Sequence, residues 1–143
     1  MDTKIDLTKV MYIEQMHDEK IDEILICDKK LVLAFNELHF EHNGIASATK
    51  AKMIFSGFDD IPSDVFVDLI SMKRCKITGG KRLYIDEFIP LMQKKKIKIE
   101  VEEILSGIEH ILIRGVIVNP DGKYGNSDVE ISICAKELTF EFE

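Results

Sequence analysis

The chain has no tryptophan, three prolines and 8% aromatic residues. Three prolines in 143 residues mark turns, and no Gly/Ser-rich or low-complexity tract divides the sequence, so residues 1–143 read as a single globular domain. No apolar run approaches the ~18 residues that a membrane-spanning helix needs. The start carries Asp2 and Asp6 and lacks an apolar block behind a basic end, which is not the pattern of a secretory signal; the expected location is cytoplasmic. Cysteine is scarce. Cys27, Cys75 and Cys134 are odd in number and have no Cys-x-x-Cys spacing, which argues against a disulfide framework or a zinc ribbon. Cys27 and Cys134 adjoin apolar strand patterns and are expected as small core residues. Cys75 lies between Arg74 and Lys76, which would favour its thiolate if exposed, but no nearby histidine offers a base.

What the chain does have is 45% hydrophobic and 31% charged residues, enough for a real core. The net charge of -7 is uneven. Residues 71–98 carry nine Lys/Arg against Asp86 and Glu87, a local +7, and the rest sums to -14. Nucleic-acid affinity comes largely from neutralising phosphates, so an acidic majority excludes nucleic acid as the expected partner. The basic segment also lacks interleaved aromatics for base stacking and reads as solvated surface. The acidic majority suits a basic protein partner.

Period-two alternation dominates, placing successive side chains on opposite faces of a sheet. Val129, Ile131 and Ile133 alternate with Glu130, Ser132 and Cys134; Leu138, Phe140 and Phe142 alternate with Thr139, Glu141 and Glu143. Ile97–Glu102 follows the same rule, and 109–118 is apolar on both faces, as a central strand would be, with Arg114 needing a partner or a route to solvent. Ile21–Cys27 and Leu31–Phe40 bracket a short polar connection, Asp28-Lys29-Lys30. The second strand changes phase, because Leu31, Leu33 and Phe35 are odd and Leu38 and Phe40 even, which predicts a β-bulge near Asn36-Glu37. Ala51–Phe58 is a further strand with Met53 and Phe55 inward. Val65–Met72 fits helix or strand, and its β-branched content tips it to strand. Asn119-Pro120-Asp121-Gly122 opens a loop to about Asn126.

Helix is expected over Ile85–Lys95, with Asp86 capping, Phe88, Leu91 and Met92 at helical spacing, and Pro90 in the first turn. Lys94–Lys96 would sit at the negative end of its dipole. Leu7, Val10 and Met11 hint at a helical turn. The fold class that follows is mainly β (β-rich α+β): an antiparallel sandwich or open barrel of seven or eight strands with one or two short helices.

Few constellations carry chemistry. His17-Asp18 precedes the first strand; such a pair can orient an imidazole as a general base, but more often it is an aspartate starting a turn beside a partly buried histidine, and that reading is preferred. It is retained as the candidate functional pair. His39, Glu41 and His42 have strand-like metal spacing without a legible third or fourth ligand, so no metal is expected. His110 reads as structural. Ser56-Gly57 and Ser106-Gly107 lack the glycine of a nucleophile elbow. Gly79-Gly80-Lys81 lacks the rest of a phosphate loop, with Arg82 where Ser or Thr is needed, and reads as a turn. Glu100, Glu102, Glu103 and Glu109 give no selectable glycosidase pair. No catalytic set, cofactor or metal is expected.

Met16-His17-Asp18, the strands Ile21–Cys27 and Leu31–Phe40, and Lys52-Met53-Ile54-Phe55-Ser56-Gly57-Phe58 resemble a pattern in small bacterial proteins, in which a His-Asp pair precedes a hairpin and a third strand ends in Phe-x-Gly. Some of those proteins are grouped with immunity proteins encoded beside polymorphic toxins. The resemblance spans residues 16–60, and Glu19 stands where the pattern has Ser. It implies a small β-rich protein that binds and blocks a toxin domain without catalysis.

The expectation is therefore a non-enzymatic protein-interaction domain, immunity-like, meeting a basic partner through an acidic surface that includes Glu100, Glu102, Glu130 and Glu141. The alternative is a small-ligand binding module whose strands enclose an apolar cavity. Oligomeric state is left open: a C-terminal strand at a sheet edge would pair with a second copy, unless its glutamates guard that edge.

Overall fold

The computed structural model describes residues 2–6 and 18–143. Among them are eleven strands and two helices: β1 (Asp2–Asp6), β2 (Lys20–Ile21), β3 (Glu23–Cys27), β4 (Lys30–His42), β5 (Ile45–Ser56), α1 (Ile61–Asp64), β6 (Val65–Lys73), β7 (Lys76–Tyr84), α2 (Ile85–Lys95), β8 (Lys98–Gly107), β9 (His110–Val118), β10 (Tyr124–Cys134) and β11 (Glu137–Phe142). They form two antiparallel sheets, β1-β11-β5-β4-β3 and β2-β8-β9-β10-β6-β7, not closed into a barrel. The mainly β class expected from alternation is the class observed. Three strands beyond the expected set account for the higher count: β1, the two-residue β2, and β7, whose exposed side chains carry little apolar alternation.

The inward residues of both sheets join one core. Leu31, Leu33 and Phe35 of β4, with Met53 and Phe55 of β5, face Val65 and Val67 of β6, Ile111 and Ile113 of β9, and Val129, Ile131 and Ile133 of β10. Burying a side chain of this size stabilises by about 1.5–3 kcal/mol, before the entropy of ordering the chain is set against it. Ile85, Phe88 and Met92 of α2 complete the cluster.

Tight hairpins follow from paired left-handed residues. Asp28 and Lys29 (φ 50° and 61°), Asn43 and Gly44 (51° and 77°), and Arg74 and Cys75 (51° and 63°) make two-residue turns whose twist matches the strands they join. The Asn43-Gly44 pair is the strongest local hairpin signal in the sequence. It carries β4 and β5 on to His42 and Ile45, well past the strand ends read from apolar residues alone.

The bulge expected near Asn36-Glu37 is present: pairing passes from Phe35↔Ala51 to Leu38↔Thr49, two residues opposing one. Val65–Lys73 is a strand, and Ile85–Lys95 is a helix over the expected span. Several expectations are corrected. The helix starts at Ile85 as expected, but Pro90 is its sixth residue and lies inside it rather than in the first turn, and the cap is not Asp86: Glu87 Oε1 accepts the Tyr84 N–H at 3.1 Å. Gly79-Gly80-Lys81 is no turn but the middle of β7. Cys27 and Cys134 are exposed, because each ends its strand on the side away from the core. β11 lies between β1 and β5 and is not an edge. Leu7, Val10 and Met11 lie outside the described residues.

Candidate functional site: the outer face of the six-stranded sheet

Alternation along β8, β9, β10, β6 and β7 turns one set of side chains into the core and the other outward. Register then aligns the outward set into rows. Glu103↔Arg114, Arg114↔Glu130, Glu130↔Asp68 and Asp68↔Arg82 are successive cross-strand partners, so five charged residues span five strands in one line. Arg114 meets Glu103 at 2.7 Å and Glu130 at 3.3 Å; Arg82 meets Asp68 through Nε at 2.8 Å and Nη2 at 3.1 Å. These carboxylates hold both guanidiniums above the usual arginine pKa, the hydrogen bonds to Glu103 and to Asp68 contributing most. Arg114 thus has both the partner and the route to solvent that its sequence position demanded.

The next row is apolar. Leu105↔Leu112, Leu112↔Ser132, Ser132↔Phe66 and Phe66↔Tyr84 are partners across the same strands. Leu105 and Tyr84 are each 48% exposed, the Phe66 and Tyr84 rings lie 5.4 Å apart, and the Arg82 guanidinium sits 5.3 Å from the Phe66 ring centre. On the other side of the charged row, Glu100 accepts the Tyr124 hydroxyl at 2.9 Å. That hydrogen bond, then the charge of Glu100, with smaller contributions from burial and Asp18, raises the Tyr124 pKa. Asp18, whose N–H donates to Val101 O at 2.8 Å, therefore stands in the field of this corner.

The sequence-chosen acidic residues divide. Glu100, Glu102 and Glu130 fall on this face, Glu102 at the bulge where β8 slips between Val101 and Glu103. Glu141 does not: it lies in the other sheet, opposite Lys52 and Asp2. Of the pair His17-Asp18, Asp18 is placed as above and His17 lies outside the described residues. His39 is held by Glu19, its Nδ1 at 3.2 Å and 3.3 Å from the carboxylate oxygens, and the side chains of Glu41 and His42 lie outside those described. Among the described residues no group of three or more His, Cys, Asp or Glu side chains is placed to hold a metal ion. Burial on one side, with Asp64 and Glu109 nearby, raises the Cys134 thiol pKa, which disfavours its thiolate.

Sequence reasoning missed Asp68, Arg82, Phe66 and Tyr84. The signal was there in the alternation Phe66/Asp68/Ile70 and Gly80/Arg82/Tyr84, but the glycines read as a turn hid the second strand. Comparison with protein-family models, with curated proteins and with solved structures returns no match to this chain.

Proposed function

We propose that this chain is a non-enzymatic protein-interaction domain that binds a basic protein partner through the outer face of its six-stranded sheet, in the manner of an immunity protein that occludes a toxin domain. The observation that carries the reading is the charged row Glu103–Arg114–Glu130–Asp68–Arg82 set beside the apolar row Leu105–Leu112–Ser132–Phe66–Tyr84. Aromatic and arginine side chains are enriched among the groups that supply binding energy at protein interfaces, and charges at the rim set orientation and encounter rate. Carboxylates outnumber cations here, since Glu100, Glu102, Glu103, Asp68, Asp128 and Glu130 stand against Lys20, Arg82 and Arg114.

The test uses the product of a neighbouring gene, purified and titrated with this chain at low and high salt. A complex whose association slows as salt rises, and which E102K weakens through its on-rate, supports the reading. Absence of any salt-sensitive complex with a neighbour-encoded protein counts against it.

A small-ligand reading keeps one supporting observation. A groove of about 350 Å³ beside α2 has Ile24, Ile89, Met92 and Ile97 along it and the Asp22–Lys98 ion pair at its rim. Thermal-shift screening against amphiphilic metabolites decides: stabilisation by one class, abolished by Met92→Lys, favours it.

A further inference from the structure

The hairpin of β6 and β7 departs from the rest of the chain in charge and in edge chemistry. Lys73, Arg74, Lys76, Lys81 and Arg82 fall within it, and no carboxylate occurs between Leu69 and Ile85, in a chain whose net charge is -7. β7 is the last strand of its sheet among the described residues, and eight of its nine residues are exposed. Every second residue of such a strand turns its N–H and C=O away from the sheet, where another strand would pair.

Two glycines stand in the middle of that edge; a Cβ on Gly80 would lie 3.3 Å from the Leu69 carbonyl oxygen, but the fold makes no such demand at Gly79. Neither has a left-handed φ, and a Cβ on Gly79 would meet nothing within 4 Å. Glycine weakens a strand interior and is found at bulges and where another backbone approaches closely; Gly79 adjoins a bulge and also leaves the edge open to such an approach. Thr78 is the extra residue of a bulge, since Ser71 pairs with Gly79 and Met72 with Ile77, so regular ladder runs from Gly79 to Tyr84. The bulge restricts pairing to that stretch, and the cations oppose pairing with a second copy of the same strand.

We propose that β7 is a strand-addition site for an extended acidic segment of another protein. Backbone pairing along Gly79–Tyr84 supplies the hydrogen bonds, and Lys76, Lys81 and Arg74 select the charge. The site shares Arg82 and Tyr84 with the outer face argued above but uses their backbone at the sheet edge, takes a partner segment of the opposite sign, and stands whether or not that face binds a basic protein. A polypeptide fits better than a nucleic acid, because the exposed backbone ladder matches only another peptide backbone and the cations lack interleaved stacking rings.

The full chain is titrated with a labelled, end-blocked peptide of alternating glutamate and valine, followed by fluorescence anisotropy and amide hydrogen exchange. Slowed exchange at alternate amides from Gly79 to Tyr84 is expected, with affinity falling roughly tenfold in K76E/K81E and in the single variant G79E, both checked for native fold by circular dichroism. A lysine/valine peptide binds more weakly, and E141K, in the other sheet, leaves binding unchanged. The proposal is overturned by unprotected amides in this stretch, by equal binding of the lysine peptide, by indifference to K76E/K81E, by loss in E141K, or by preference for an oligothymidylate.

Discussion

Asp22 accepts the backbone N–H of Asn36 at 2.6 Å while its other oxygen holds Lys98 Nζ at 2.7 Å. Asp22 is the residue at which the chain passes from β2, paired in one sheet, to β3, paired in the other. Its partner Asn36 is the first residue of the β4 bulge, where β3 no longer covers the strand. Glu19, 8% exposed, does the same for the His39 N–H at 3.2 Å. Two carboxylates thus take the place of a missing neighbouring strand.

Removing either leaves a donor without its acceptor. Asp22→Ala and Glu19→Ala are each expected to destabilise by about 1–3 kcal/mol, with Glu19→Gln costing less because its amide oxygen still accepts. Urea unfolding followed by circular dichroism reads this as a lower midpoint. An unchanged midpoint in both alanine variants would mean that water replaces the carboxylates at no cost.

Gly115 is required by space. It faces the core opposite Val101 and Val129, beside the β8 bulge, and a Cβ there would lie 2.4 Å from the Glu100 carbonyl oxygen and 3.0 Å from Ile99 Cγ2. The first of these is backbone and cannot rotate away. Gly115→Ala is expected to destabilise by about 1–3 kcal/mol through forced backbone shifts. Gly79→Ala, built into open space, is expected to stabilise by about 0.5–1 kcal/mol. Equal losses at both positions would contradict the geometry.

Pro90 lies inside α2, where it removes one helical hydrogen bond and its ring crowds the carbonyl of Asp86. Its side chain is exposed, so nothing in the core depends on it. Pro90→Ala is expected to stabilise by about 2 kcal/mol, the helix gain of some 3 less the unfolded-state entropy that proline had removed. Thermal unfolding checks it, and a lower Tm would assign Pro90 a packing role.

The fold was legible where burial wrote it into the chain. The phase change from Leu33 and Phe35 to Leu38 located the β4 bulge, because a strand with one dry face cannot slip by one residue unmarked. Phe88 and Met92 located α2 in the same way. β7 escaped because an exposed edge strand needs no apolar alternation, and the cysteines misled because each is its strand's final residue and points to solvent beside apolar neighbours. The charged row was beyond reach for a different reason. Glu103, Arg114, Glu130, Asp68 and Arg82 meet only once register is set, and register here depends on bulges at 101/103 and 71/72 that leave little trace in hydrophobicity.

Tyr124 offers the cleanest reading of that face's electrostatics. Its hydroxyl donates to Glu100, and the hydrogen bond and charge of that carboxylate, then burial and Asp18, raise its pKa above the ordinary 10.0. A group whose pKa is higher in the folded than in the unfolded chain contributes stability below the unfolded value, and that contribution is lost as pH rises through the folded value. Stability should therefore decline above about pH 10 partly through this residue, and less steeply in Y124F. Ultraviolet titration of the parent minus Y124F isolates its phenolate. The midpoint is expected above 10.0 in the parent and nearer 10.0 in E100Q, where the largest cause is removed. A parent midpoint at or below 10.0 would show that the hydroxyl and Glu100 are not joined in solution, and that this corner of the face carries more free negative charge than the geometry assigns it.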